Sequence, residues 1–150
     1  MDEDPSQITA SFAAGLMNLI NLSGFTILVR PSVRLGDEVL VPDLAAWSAE
    51  RAPSPTDEPC TSLIPDWVCE VRGLRAPARD FSDKMSAYAR EGVRFMWILD
   101  PADQTMALFK LDAQRRWELS GAYSASHGPS RVRGEPFDAI EVDLALLLRR

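Results

Sequence analysis

The run Phe95-Met96-Trp97-Ile98-Leu99 has no polar position. A strand that is apolar at every residue has no side to show to water, so it belongs in the centre of a sheet. That demand points to an α/β fold in which helices flank a sheet. Two further apolar segments each carry one acid. They are Val39-Leu40-Val41-Pro42-Asp43 and Trp67-Val68-Cys69-Glu70-Val71. A carboxylate set among strand residues is costly to bury unless something compensates its charge.

The remaining pattern fits around this centre. Ile8, Phe12, Leu16, Leu19 and Ile20 recur at helical steps, which predicts a helix over residues 6–22 with Ser23-Gly24 as its stop. Phe25 to Arg34 and Val39 to Trp47 read as two strands joined by turn chemistry at Leu35-Gly36-Asp37-Glu38, hence as a hairpin. Residues 50–62 carry three prolines and read as a surface loop. Leu63 to Val71 reads as a strand, Arg72 to Arg79 as an exposed loop, and Phe81 to Glu91 as a helix ended by Gly92. Strands at Thr105–Leu111 and Trp117–Tyr123 follow, and the tail from Phe137 to Leu148 offers a short strand and a helical turn. The order predicts one mixed central sheet flanked by two main helices.

With 150 residues, 46% of them hydrophobic, the chain has the material for one core, so residues 1–150 are expected to form a single domain. No apolar run reaches the length of a membrane span, and the opening Met1-Asp2-Glu3-Asp4-Pro5 is acidic where a signal peptide is basic. A cytoplasmic protein without a membrane partner is expected. Cys60 and Cys69 make no metal-ligand spacing with each other or with His127, the only histidine. Cys69 reads as a small core residue, His127 as a loop residue, and Pro65-Asp66 as a turn leading into the strand. The four tryptophans read as core or sheet-face residues.

The net charge of −6 argues at first against a nucleic-acid partner. It is unevenly spread, since residues 1–60 hold nine acids and three bases while residues 61–150 hold thirteen of each. Between Glu70 and Arg94 six bases face four acids, and most of those arginines fit a solvated surface.

Within this frame Asp43, Glu70 and Lys84 form an ordered set. Two carboxylates from neighbouring strands can hold one Mg2+ or Mn2+, with the Val71 carbonyl as a third oxygen. On the following helix Phe81, Met85 and Tyr88 form the inner stripe, and Lys84 flanks it with an ammonium able to reach the sheet end. Such a set is minimal equipment for metal-assisted phosphodiester hydrolysis. From spacing alone, a surface lysine paired with Asp80 is the simpler reading of Lys84.

Several strings together resemble the Uma family of bacterial restriction-endonuclease-like proteins, within the PD-(D/E)XK nuclease superfamily. They are Val41-Pro42-Asp43-Leu44, Pro65-Asp66-Trp67-Val68-Cys69-Glu70-Val71, Asp80 with Lys84, Tyr88-Ala89-Arg90-Glu91-Gly92-Val93 and Trp97-Ile98-Leu99-Asp100-Pro101. Glu135 to Leu144 resembles that family's ending, and the likeness spans roughly residues 25–148. The resemblance implies a restriction-endonuclease-like core, a magnesium-dependent site and DNA as substrate. By position Asp43 matches the motif aspartate, Glu70 the motif glutamate, and Lys84 a lysine placed on the next helix. Arg72 stands two residues after Glu70 and, with Arg75 and Arg79, is expected to bind phosphate. The family pattern opens with an acid-bearing strand and a helix near a histidine. Here no acid lies between Gln7 and Leu22, so a shortened amino terminus is expected, with a third ligand absent or left to Glu3. The expected activity is metal-dependent DNA cleavage, and the alternative is a catalytically degenerate relative acting as a binding or assembly module. By analogy with nucleases that cut two strands, a homodimer is expected.

Overall fold

The computed structural model describes residues 11, 14–18, 24–53, 60–72 and 78–148, residues 78–80 by their backbone alone. The apolar run forms β6 (Phe95–Asp100), buried from Phe95 to Leu99. It lies between β5 (Trp67–Val71) and β7 (Thr105–Leu111), as a strand without a polar face must. β5 and β6 are parallel, with Glu70 beside Ile98. Parallel neighbours need a crossover, and the helix α2 (Ala78–Glu91) lies in that connection.

β1 (Phe25–Val29), β4 (Leu44–Ser48) and β8 (Trp117–Ser124) complete a six-stranded mixed sheet of order β1-β4-β5-β6-β7-β8. Residues 14–18 form a helical segment, α1. A two-stranded ladder of β9 (Arg131–Val132) and β10 (Val142–Asp143) leads into α3 (Leu144–Leu147). Among the described residues no helix is long and apolar enough to cross a membrane.

Alternation along the strands builds two cores on one sheet. On one face Leu44, Ala46, Trp67, Cys69, Trp97 and Leu99 meet Leu16, Phe137 and Leu144. On the other, Ala45, Trp47, Val68, Met96 and Ile98 meet Ala87 and Tyr88 of α2. The first core is aromatic. The Phe137 ring stands edge-on to Phe25, Trp67 and Trp97, with centroids 5.1, 5.0 and 5.8 Å away.

The expected hairpin of two long strands is corrected. β1 does pair with β4, Val29 opposite Leu44. Between them, however, β2 (Val33–Leu35) and β3 (Glu38–Leu40) form a separate two-stranded sheet. Pro31 and Pro42 bring no N–H to a ladder, and Arg30 turns through φ 50°. The chain therefore leaves the main sheet after Val29 and re-enters at Leu44. Asp43 stands just ahead of β4, at the point of re-entry.

The expected strand from Leu63 shortens to β5, since Pro65 interrupts its ladder. α2 starts at Ala78, ahead of the expected Phe81, so the backbone of Arg79 is helical instead of looped. The tail holds the expected strand and turn, and β9 was not expected. Most of the expected first helix, including its end, lies outside the described residues, as does Glu3.

Because Phe137 joins three aromatic neighbours, Phe137→Ala is expected to cost about 3–5 kcal/mol. Urea unfolding of the variant against the parent chain checks this.

Candidate active site

β4 and β5 run antiparallel with Leu44 opposite Cys69, so one step further brings Asp43 opposite Glu70. The start of one strand and the end of the other thus share one end of the sheet. Asp43 is tied there by three bonds. Its carbonyl accepts from the Arg30 amide at 2.9 Å. Its Oδ2 accepts from the Val71 N–H at 2.7 Å, and its Oδ1 meets Arg30 Nη1 at 3.0 Å.

Glu70 shares the face of Val68, towards α2, and only 4% of its surface is exposed. Lys84 and Tyr88 lie one helical turn apart on α2 and hold the two carboxylate oxygens. Lys84 Nζ stands 3.0 Å from Oε1, and the Tyr88 hydroxyl donates to Oε2 at 2.5 Å. Lys84 Nζ also donates to the Val41 carbonyl at 3.0 Å, tying α2 to the link between β3 and β4. The lysine is therefore a partner of Glu70 and not only a surface charge.

Burial is the main influence on Glu70 and pushes its pKa above the usual glutamate value. The Lys84 charge and the Tyr88 hydrogen bond pull it down, and the Asp43 charge adds a push upward. Burial, then the Glu70 charge and hydrogen bond, hold the Tyr88 phenol far above its ordinary range, so it stays a neutral donor. Cys69 points to the opposite face, where burial raises its thiol well above normal.

The oxygen donors of Asp43 and Glu70 are of the hard kind that Mg2+ takes. Among the described residues no group of three or more His, Cys, Asp or Glu side chains could hold a metal. A cation placed here would meet two carboxylates and would take its remaining oxygens from backbone or water, which Mg2+ tolerates.

Of the expected phosphate ligands, Arg72 is exposed, with its guanidinium 5.3 Å from the Phe81 ring centroid. Arg75 lies outside the described residues, and so does the side chain of Arg79. Sequence reasoning missed Arg30 and the polar role of Tyr88. The Tyr88 role was signalled only by its four-residue distance from Lys84, and Arg30 left no signal.

The other candidates fall elsewhere. Asp66 lies at the far end of β5, where it accepts from Ser48 N at 2.8 Å and from Arg51 Nη1 at 2.5 Å. It therefore secures the turn into the strand. His127 is exposed in a turn and lines an open cleft of about 560 Å³ with Asp103, Gln104, Ser124 and Ser126.

The raised pKa of Glu70 fixes the sign of a pH effect in the metal-free protein. Below the ordinary glutamate value the group is protonated in both states and costs nothing. As pH rises through the higher native value, the unfolded chain ionises more readily and stability falls. Glu70→Gln lacks this titration, so it is expected to gain stability relative to the parent chain between pH 4 and pH 8. Urea unfolding across that range measures it, and a constant difference would mean that Glu70 does not titrate high.

Comparison with solved structures finds a "putative nuclease belonging to DUF820" from Anabaena variabilis. It has a TM-score of 0.76 and 17% identity, covering 99% of this chain and 82% of that one. At this identity the likeness establishes the fold. The type IIG restriction endonuclease BpuSI overlaps at a TM-score of 0.44 with 13% identity, over 73% of this chain and 12% of that one, too little to bear on the fold. A search of curated protein sequences finds no match. The Uma2 family model, described as "Putative restriction endonuclease", matches residues 2–145. The expected restriction-endonuclease-like architecture, a mixed sheet flanked by helices, is thus borne out, and the chain belongs to the Uma2 family.

Proposed function

We propose that this protein is a magnesium-dependent nuclease that hydrolyses DNA phosphodiester bonds at the Asp43–Glu70 end of the sheet. One observation carries the reading. Two acids from adjacent strands converge where Lys84, from the crossover helix, reaches one of them at 3.0 Å. Membership of the Uma2 family supports the same chemistry.

Asp43, Glu70 and the Val71 carbonyl would hold Mg2+, with Mn2+ as a substitute. When bound, the ion supplies Lewis-acid polarisation of a phosphoryl oxygen. Lys84 presents its ammonium beside the bound phosphate, where negative charge grows as the bond breaks. Its stem lies along α2 with its side chain 28% exposed, so the charged end can turn from Glu70 towards substrate. Arg72, Arg75 and Arg79 would add contacts to the DNA backbone that are indifferent to base sequence. Two copies of the chain would serve to cut both strands.

A second reading draws on a different observation. All four carboxylate oxygens of Asp43 and Glu70 already have partners within the protein. Such a self-satisfied cluster also suits a module that keeps the fold for binding.

Lys84→Met separates the two, because it keeps the stem and removes the charge. A nuclease should lose cleavage of plasmid DNA by about 10²–10³-fold, as for other donors to developing charge. Its Mg2+-induced rise in melting temperature should persist. Absence of cleavage by the parent chain with Mg2+ or Mn2+ on any DNA form would favour the module.

A further inference from the structure

The four partners that hold the two carboxylates differ in whether they can let go. Tyr88 has no exposed surface and is packed among Trp47, Val68 and Met96. If its hydroxyl left Glu70, a buried donor would be stranded without a partner. Lys84, on a flexible stem with 28% of its side chain exposed, can swing into water. Asp43 repeats the arrangement. Its Oδ2 is held by the backbone N–H of Val71, which moves only if the end of β5 moves, whereas Oδ1 is held by Arg30, whose side chain is 62% exposed. Each carboxylate therefore has one fixed oxygen and one that can be exchanged.

Building on the magnesium-site reading, we propose that Tyr88 is a positioning residue that selects Mg2+ or Mn2+ over Ca2+ by keeping Glu70 Oε2 occupied. Ca2+ gathers roughly six to eight oxygens and commonly takes both from one carboxylate. Mg2+ is satisfied by single oxygens from one or two carboxylates and fills the rest with water. A site that exposes one oxygen of Glu70 and one of Asp43 withholds what Ca2+ needs and leaves Mg2+ unaffected. The phenol suits this task because its hydroxyl already donates to Oε2 at 2.5 Å from a fully buried ring.

Calorimetric titration of MgCl2 and of CaCl2 into the parent chain and into Tyr88→Phe tests this. The variant removes only the hydroxyl and frees Oε2. The parent chain should bind Mg2+ at least as tightly as Ca2+. In Tyr88→Phe the affinity ratio should move towards Ca2+ by about tenfold, the low end of what partners of a metal ligand contribute. An unchanged ratio with both ions still bound overturns the role of Tyr88 and leaves the magnesium site standing. No binding of either ion by the parent chain overturns both. Should Tyr88→Phe fail to fold, the parent chain decides. Tighter binding of Ca2+ than of Mg2+ contradicts the proposal, and the reverse order supports it.

Discussion

Glu70 lies near the end of a strand that is covered on both faces, so its charge cannot rely on bulk water. An ion in that position is costly unless it is paired and hydrogen-bonded, and removing one partner of such a pair commonly costs about 3–5 kcal/mol. Lys84 and Tyr88 answer this from one face of α2, which ties the helix to the sheet at this point alongside its apolar packing. Lys84 passes the constraint on through the Val41 carbonyl to the chain just ahead of Asp43. Neighbouring Asp43 then closes the same sheet end by accepting the Val71 amide. The candidate site is thus also the fastening between helix and sheet.

The two ends of β5 differ in how many carboxylates they carry. At the far end Asp66 is a lone carboxylate, fully used by the Ser48 amide and by Arg51. At the near end two carboxylates face each other, and the Asp43 charge makes Glu70 harder to ionise. Their repulsion is offset by Lys84 and Arg30, cations on flexible side chains that retain access to water. Asp43 and Asp66 are each held by one backbone amide and one exposed arginine, so what sets the near end apart is the second carboxylate beside Asp43 and the lysine that meets it.

Much of this was legible in the sequence. The unbroken apolar run from Phe95 called for a central strand, and Lys84 was placed beside the inner stripe of its helix within reach of the sheet end, although spacing alone favoured a surface lysine paired with Asp80. Where the reading failed, the cause was non-local. Pro31 and Pro42 interrupt what looks like continuous strand, and only the register with β4 shows that the chain returns to the main sheet at Leu44. Tyr88 fits the apolar stripe by periodicity, and its hydroxyl becomes informative only once Glu70 is seen opposite. Arg30 reaches Asp43 across thirteen residues and an intervening hairpin, a contact that no local pattern encodes.

The central claim is that Asp43 and Glu70 together form a site for a divalent cation, with Lys84 as the counter-charge in its absence. Melting of the parent chain and of Asp43→Asn across a series of MgCl2 concentrations measures it most directly, since the substitution removes the charge but keeps an oxygen for the Val71 amide. A cation that binds only the folded chain adds about 2.7 kcal/mol at a hundredfold excess over its dissociation constant. The account predicts that the parent chain melts progressively higher as MgCl2 rises while Asp43→Asn stays flat. A parent chain indifferent to MgCl2, or an equal rise in both proteins, would contradict it.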